Sequence, residues 1–218
     1  MSVNYYYRLN ILALLCFRPA LFFHKLNALS WYQGALRAWS DSWGYRTGDS
    51  ILDVGCATGL LTQYMARRGA VAHGVDKSTQ MLQKAHASNT DGARFELASA
   101  LDLPYENDRF DYVVAASLIN IISEPAIAMR EMARVCKPGG KVSVLVPQAG
   151  MADKDIAHLA DCLNLSGFSR EALRAWHLRA PKMQREKLLE YFGNAGLRQA
   201  CSETYLDGMV LTVTGTCC

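Results

Sequence analysis

Along this 218-residue chain, short apolar runs alternate with longer stretches whose apolar positions recur at helical spacing. Runs near 50–54, 71–75, 93–98, 110–115 and 141–147 predict strands, and the segments between them predict helices. Strands separated by helix-length connections pair in parallel, because a parallel neighbour is reached only through a crossover. Two more strands are predicted near 197–205 and 208–216, turning at Asp207-Gly208. The expected architecture is α/β: a doubly wound seven-stranded sheet that ends in an antiparallel hairpin.

The flanks of this core predict helices. Residues 9–23, LNILALLCFRPALFF, are apolar but broken by Arg18 and Pro19. The run falls short of the roughly 20 residues that cross a bilayer. Pro19 divides it into two short helices. A segment apolar nearly all round requires cover. We read it as a helical cap over the mouth of the site; self-association as a homodimer and contact with a membrane surface stay open. No A-x-A-like site follows, so no secretory signal is expected. Trp31, Tyr32, Trp39 and Trp43 follow at partly helical spacing. They suit a core, with Tyr32 a candidate for lining a substrate pocket. Residues 148–182 are longer than an ordinary connection, with helical stretches at 153–165 and 169–179, and read as a lid. KMQREKLLEYFGNAGLRQA predicts a last helix, closed by Gly193 or Gly196. The chain thus reads as one domain: cap 1–48, core 49–147, lid 148–182, and helix plus hairpin 183–218.

The stretch ILDVGCATG, 51–59, carries the most chemistry. An apolar strand runs into a tight turn of small residues that opens the helix LLTQYMARRG. Gly55 and Gly59 permit a sharp turn and a close approach to a ligand. The unpaired N–H groups of the new helix point the same way. Cys56 and Ala57 fill the turn, and Asp53 precedes it. A dinucleotide fingerprint would need glycine at 57 and 60, where Ala57 and Leu60 stand, and no G-K-[ST] is present. The next strand, AVAHGVDKS, ends in Asp76, 21 positions after Gly55, one βαβ step away. A carboxylate there can accept both hydroxyls of a ribose. Lys77, Ser78 and Met81 then open a helix beside the same ligand.

The pattern D-x-G-x-x-x-G resembles the first motif of class I S-adenosylmethionine (SAM)-dependent methyltransferases. Leu103-Pro104-Tyr105 and Phe110-Asp111-x-Val113 resemble that family's LPF and FD-x-V elements. RVCKPGG, 134–140, resembles its R-V-x-K-P-G-G turn, with Pro138 and Gly139 stopping a helix. The likeness is strongest over about 35–148, in the manner of methyltransferases of the ubiquinone/menaquinone and malonyl-carrier-protein type. It implies a Rossmann-like fold, SAM as cofactor, and an enzyme that methylates a small molecule by in-line displacement. It also implies cofactor contacts from Asp53, Gly55, Cys56, Ala57, Gly59, Asp76, Lys77, Met81, Ser99, Ala100, Ala115 and Ser117. The chain departs from the pattern in three places. The middle glycine is Ala57, the adenine-binding Asp is Ser99, and the frequent His-His pair is Asn120-Ile121.

Charge and cysteine content narrow the function. A net charge of +3, with no dense Lys/Arg run, argues against nucleic acid. Residues 1–50 carry five Lys/Arg and two Asp/Glu, which accounts for all of the excess. Seven cysteines without a C-x-x-C pair indicate neither disulfides nor a zinc site, and a reduced cytoplasmic setting fits best. The terminal Cys217-Cys218 follows a predicted strand directly and reads as a strand end rather than a lipidation signal.

Sulfonium chemistry needs alignment and desolvation more than acid–base help, yet an oxygen or carbon acceptor would also need a base. Asn120 and Ser117, after the fourth strand, face the expected transfer site. His158 and His177 on the lid are the candidate proton acceptors; His24 lies on the cap, and His73 and His86 read as structural. Arg170, Arg174 and His177 fall at i, i+4, i+7 and share a helix face. That face could receive an acidic substrate group or simply be solvated. A non-catalytic subunit of the same fold is the competing reading, motivated by Ala57, Ser99 and the missing His pair; a membrane-surface enzyme acting on a lipid or quinone is another.

Overall fold

The computed structural model describes residues 3–218, and their side chains except at 3–5, 8, 15, 19, 20 and 23. Residues 1 and 2 of the expected cap lie outside it. The N-terminal part is helical: α1 Val3–Phe17, α2 Pro19–Asn27 and α3 Ser30–Ser42. Pro19 sits at the start of α2, where its missing N–H costs nothing, so the break falls where the sequence puts it.

The core follows as β1 Ser50–Val54, α4 Leu60–Arg67, β2 Val71–Asp76, α5 Thr79–Ser88, β3 Arg94–Leu97, β4 Phe110–Ala116, α6 Pro125–Val135 and β5 Cys136–Pro147. Then come α7 Asp153–Cys162, α8 Gly167–Arg179, α9 Arg185–Asn194, β6 Arg198–Tyr205 and β7 Val210–Thr216. The seven strands form one sheet in the order β3-β2-β1-β4-β5-β7-β6. β7 pairs antiparallel with β5 and with β6, and the other pairings are parallel. The apolar VLTVT of β7 is buried between its neighbours, while the polar RQACSETY of β6 takes the exposed edge.

Alternate residues of each strand enter opposite cores. Ile51, Val114 and Leu145 pack under α3, α4 and α8 with Trp39, Met65 and Leu173; Leu52, Val113 and Val144 pack under α6 and α9 with Met129, Met132 and Phe192. The cap is anchored by polar contacts as well. Trp39 donates Nε1–H to Ser143 Oγ at 2.9 Å, and Ser143 shares a 2.6 Å hydrogen bond with Thr214.

The family-like motifs turn out to be fastenings. Asp111 accepts from the Ser50 amide and hydroxyl at 2.8 and 2.6 Å and from Lys137 Nζ at 2.8 Å, joining the starts of β1, β4 and β5. Arg134 donates to the carbonyls of Leu103 and Tyr105 and pairs with Glu131, which itself accepts the Leu103 amide; this clamps the LPY loop.

Several boundaries differ from expectation. β5 begins at Cys136 rather than 141, because the KPGG segment continues the ladder toward Cys217 through a register shift opposite Phe110 and Tyr112. The β6–β7 turn uses Leu206, Asp207 and Gly208, all at positive φ, rather than a two-residue loop. The helix α9 runs through Gly193, and Gly196 at φ +77° follows its end. Among the described side chains of the segment 9–23, Ile11 and Phe22 are buried, whereas Leu9, Leu12 and Phe17 face outward.

Candidate active site

The order of strands reverses between β1 and β4, and a crevice at such a switch point opens at the carboxyl ends of the strands. There the structure has a cavity of about 540 Å3, a size typical of small-molecule sites. The tips of four strands supply its base: Asp53 and Gly55 after β1, Val75 and Asp76 of β2, Ala98 and Ser99 after β3, and Ala116 and Ser117 at β4. Leu26 and Asn27 of α2, Tyr32 and Leu36 of α3, and Trp176 of α8 form the opposite wall. Lys77, Met81, Leu101, Ile121 and Ile122 complete the rim.

The turn after β1 is held by its own amides. Gly55 and Cys56 donate to the Val75 carbonyl at 2.8 and 2.9 Å, and Gly59 donates to Cys56 at 2.9 Å. The Ala57 amide donates to Asp76 Oδ2 at 2.9 Å. These four loop amides are spent inside the loop itself. Ala57 adopts the left-handed conformation, φ +49°, and its bond to Asp76 offsets that strain. Gly59 lies below the cavity rather than in its lining. A Cβ there would meet the Phe95 ring at 2.5 Å, so glycine is required for helix–strand packing.

Asp76 also accepts the Ser78 amide at 2.8 Å. Each of its oxygens thus takes one backbone N–H, and a carboxylate has lone pairs left for two ligand hydroxyls. Asp53 is 2 % exposed and accepts from Thr62 Oγ1 at 2.7 Å. Burial pushes its carboxyl up to about 7, the Thr62 hydrogen bond opposes that shift, and the charge of Asp76 adds to it. A cationic ligand would favour the ionised form. Ser117, at φ +53°, closes its hydroxyl off from solvent without a well-formed hydrogen bond, yet it faces the buried Tyr32 phenol. Burial raises the Tyr32 phenol, the neighbouring Ser117 hydroxyl lowers it, and Asp53 raises it further.

Of the residues singled out in the sequence, Asp53, Gly55, Cys56, Ala57, Asp76, Lys77, Met81, Ser99, Ala100, Ser117 and Tyr32 converge on this cavity. Ala115 does not: it is fully buried beneath the sheet, and Ala116, one residue on, faces the cavity instead. Asn120 turns away to donate to the Pro181 carbonyl at 2.9 Å. His158 is exposed and bonds Cys162 Sγ at 3.5 Å. His177 is buried outside the lining, 3.6 Å from Asp153, and burial lowers its pKa. Arg170 pairs with Asp161 at 2.6 Å, and Arg174 lines a separate groove. The basic helix face therefore does not reach the cavity. His73 packs edge-on against Tyr105 and Phe110, and His86 against Phe95, both structural as expected.

Sequence reading missed Leu26, Asn27, Leu36, Leu118 and Trp176. Trp176 precedes His177 by one position, and 100° of helix rotation separates the two faces. It stacks edge-on against Tyr32 with centroids 5.5 Å apart. Asn27 ties the cap to the loop through a 3.4 Å bond to Thr58 Oγ1.

The donor set suits an adenosyl sulfonium: a carboxylate with spare lone pairs at Asp76, an acidic group beside a cation's place at Asp53, and an unspent hydroxyl at Ser117. Residues 52–144 match the family model described as a methyltransferase domain. A ubiquinone biosynthesis O-methyltransferase of Paracidovorax citrulli is 34% identical over 131 residues, covering 58% of this chain and 51% of that protein. A demethylmenaquinone methyltransferase of Staphylococcus aureus is 34% identical over 108 residues, covering 47% and 44%. The chain thus spans about half the length of these curated relatives. A solved SAM-dependent methyltransferase of Aquifex aeolicus superposes with a TM-score of 0.64 at 15% identity, covering 84% of this chain and 89% of that one, which is a likeness of fold. With the switch-point cavity and the sheet order, the match over residues 52–144 makes the chain similar to the methyltransferase domain family, on the fold of class I SAM-dependent methyltransferases.

Proposed function

We propose that this chain transfers a methyl group from SAM to a small, largely apolar acceptor, of the kind its quinone-pathway relatives suggest by name. One observation carries the reading: a single cavity joins Asp53 and Asp76 at the tips of β1 and β2 to an apolar wall of Leu26, Leu36 and Trp176. Bound SAM supplies an already activated, electrophilic methyl group. The residues here then need to bind, align and exclude water. Asp76 holds the ribose hydroxyls, and Met81 and Leu101 flank the adenine with Ser99 at its edge. Asp53 balances the charge of the methionine end. Tyr32 and Ser117 orient the acceptor. The cap and lid helices close the cavity, as α2, α3 and α8 supply its wall.

Arg170 and Arg174 lie outside the cavity, so they lend no support to an acidic group on the acceptor. A cytoplasmic setting belongs to the same proposal; all seven cysteines are unpaired, and among the described residues no helix is long and apolar enough to cross a membrane. Calorimetric titration with SAM tests the reading, and absence of binding by folded protein at high micromolar ligand would defeat it. Conversion of SAM to S-adenosylhomocysteine on any acceptor would rule out a non-catalytic subunit.

A further inference from the structure

A second groove, of about 220 Å3, lies apart from the cavity between α1 and α8. Ile11, Leu12, Arg174, Ala175, Leu178 and Arg179 line it, over a buried Glu171 already engaged within the fold. The two helices run side by side in the same direction, since Gly167 leaves room for the Tyr7 ring while Ile11 and Leu12 reach Arg174 and Leu178. Large apolar side chains stand in solvent along this face: Leu9 is 49 % exposed, Leu12 41 %, Leu178 55 %, and Phe17, at the corner into α2, 84 %.

Charge selects the occupant. Residues 1–40 contain no Asp or Glu, while Arg8, Arg18, Lys25 and Arg37 are basic. Arg174 and Arg179 add to this at the groove, and Arg18 adjoins the exposed Phe17. A second copy of the chain would bring two cationic faces together. Apolar side chains rimmed by Arg suit the interface of an anionic bilayer, where lipid phosphates meet the cations and acyl chains the leucines. We propose that the α1–α8 face docks this protein on anionic membranes. Trp176 lines the cavity and Leu178, about 200° round the same helix, lines the groove, so α8 carries the cavity on one face and the docking surface on the other. Delivery of a lipid-dissolved acceptor rests on the function proposed above; the docking itself does not.

The test is co-sedimentation of the full chain with vesicles of phosphatidylcholine alone and of phosphatidylcholine and phosphatidylglycerol in equal parts. Binding is expected to the mixed vesicles only, and to weaken with salt. The double variants L9D/L178D and R18E/R179E should each bind on the order of tenfold more weakly. Both alter exposed side chains outside the cavity, so their thermal midpoints and SAM titrations should match the parent. No binding by the parent, equal binding to neutral vesicles, or a change in oligomeric state of L9D/L178D without vesicles would overturn the proposal. Loss of SAM binding with vesicle binding retained would defeat the proposed function and leave the docking intact.

Discussion

Thr62 donates a 2.7 Å hydrogen bond to Asp53, and neither residue is more than 2 % exposed. This bond is what keeps a buried carboxylate at the sheet tip from being held further above the ordinary carboxylate range. Thr62→Val should cost about 1–3 kcal/mol, since it removes the hydroxyl donor and leaves the buried carboxyl only the Thr62 backbone N–H of that pair. It should also push Asp53 higher and weaken cation binding near neutral pH. Urea melts together with SAM titrations at pH 6 and 8 check both; a variant that binds equally at the two pH values would contradict the coupling.

Stability should depend on pH through Asp53. Its folded pKa of about 7 lies above the value of about 4 in an unfolded chain. Below about pH 4 both states hold the proton and nothing is lost. Between about 4 and 7 the folded chain keeps a proton that the unfolded chain has released, so stability falls as pH rises, then levels off. The slope approaches about 1.4 kcal/mol per pH unit. The gap in urea midpoint between parent and Asp53→Asn should widen across that window; a constant gap would disprove the shift.

Asp76 holds the Ala57 and Ser78 amides and, in the proposed function, the ribose. Asp76→Asn keeps the shape but turns one acceptor into a donor. SAM affinity should fall on the order of tenfold to a hundredfold, from the loss of charge-assisted bonds of about 1.5–3 kcal/mol. Calorimetry measures this directly, and unchanged affinity would remove Asp76 from the ribose site.

Tyr32 shares a boundary with Ser117 and Trp176 but lies on the wall opposite Asp76. Tyr32→Phe should leave SAM affinity within about twofold and lower kcat roughly tenfold or more, if the phenol hydroxyl orients the acceptor. Single-turnover rates separate the two effects. Weakened cofactor binding with kcat unchanged would place the phenol in the cofactor site instead.

Gly59→Ala tests the loop rather than the chemistry. At φ +75° a Cβ costs about 1–2 kcal/mol and would also meet Phe95 and Ala85 at 2.5 and 3.0 Å. A loss of about 2–4 kcal/mol is expected in denaturant melts, and a loss under about 1 kcal/mol would mean that Phe95 moves freely aside.

The amino-acid sequence alone determined the sheet, its parallel core, the turn after β1 and the two acidic strand tips. These are local: strand periodicity, glycine and proline punctuation and the spacing of one βαβ step act within about 30 residues. It also placed Asp111 and Arg134 in their motifs, though not their roles as fastenings across β1, β4 and β5. The tertiary structure decided which way each side chain of the cap and lid faces. Trp176 enters the cavity while His177 and Arg174 leave it, and Ala116 replaces Ala115, because one residue of helix or strand rotation exchanges the two faces. The opposite wall is built by α2, α3 and α8, brought together by contacts such as that of Trp31 Nε1 with Ser169, 138 residues apart. Pairings at that separation depend on packing the whole chain, and no local pattern encodes them.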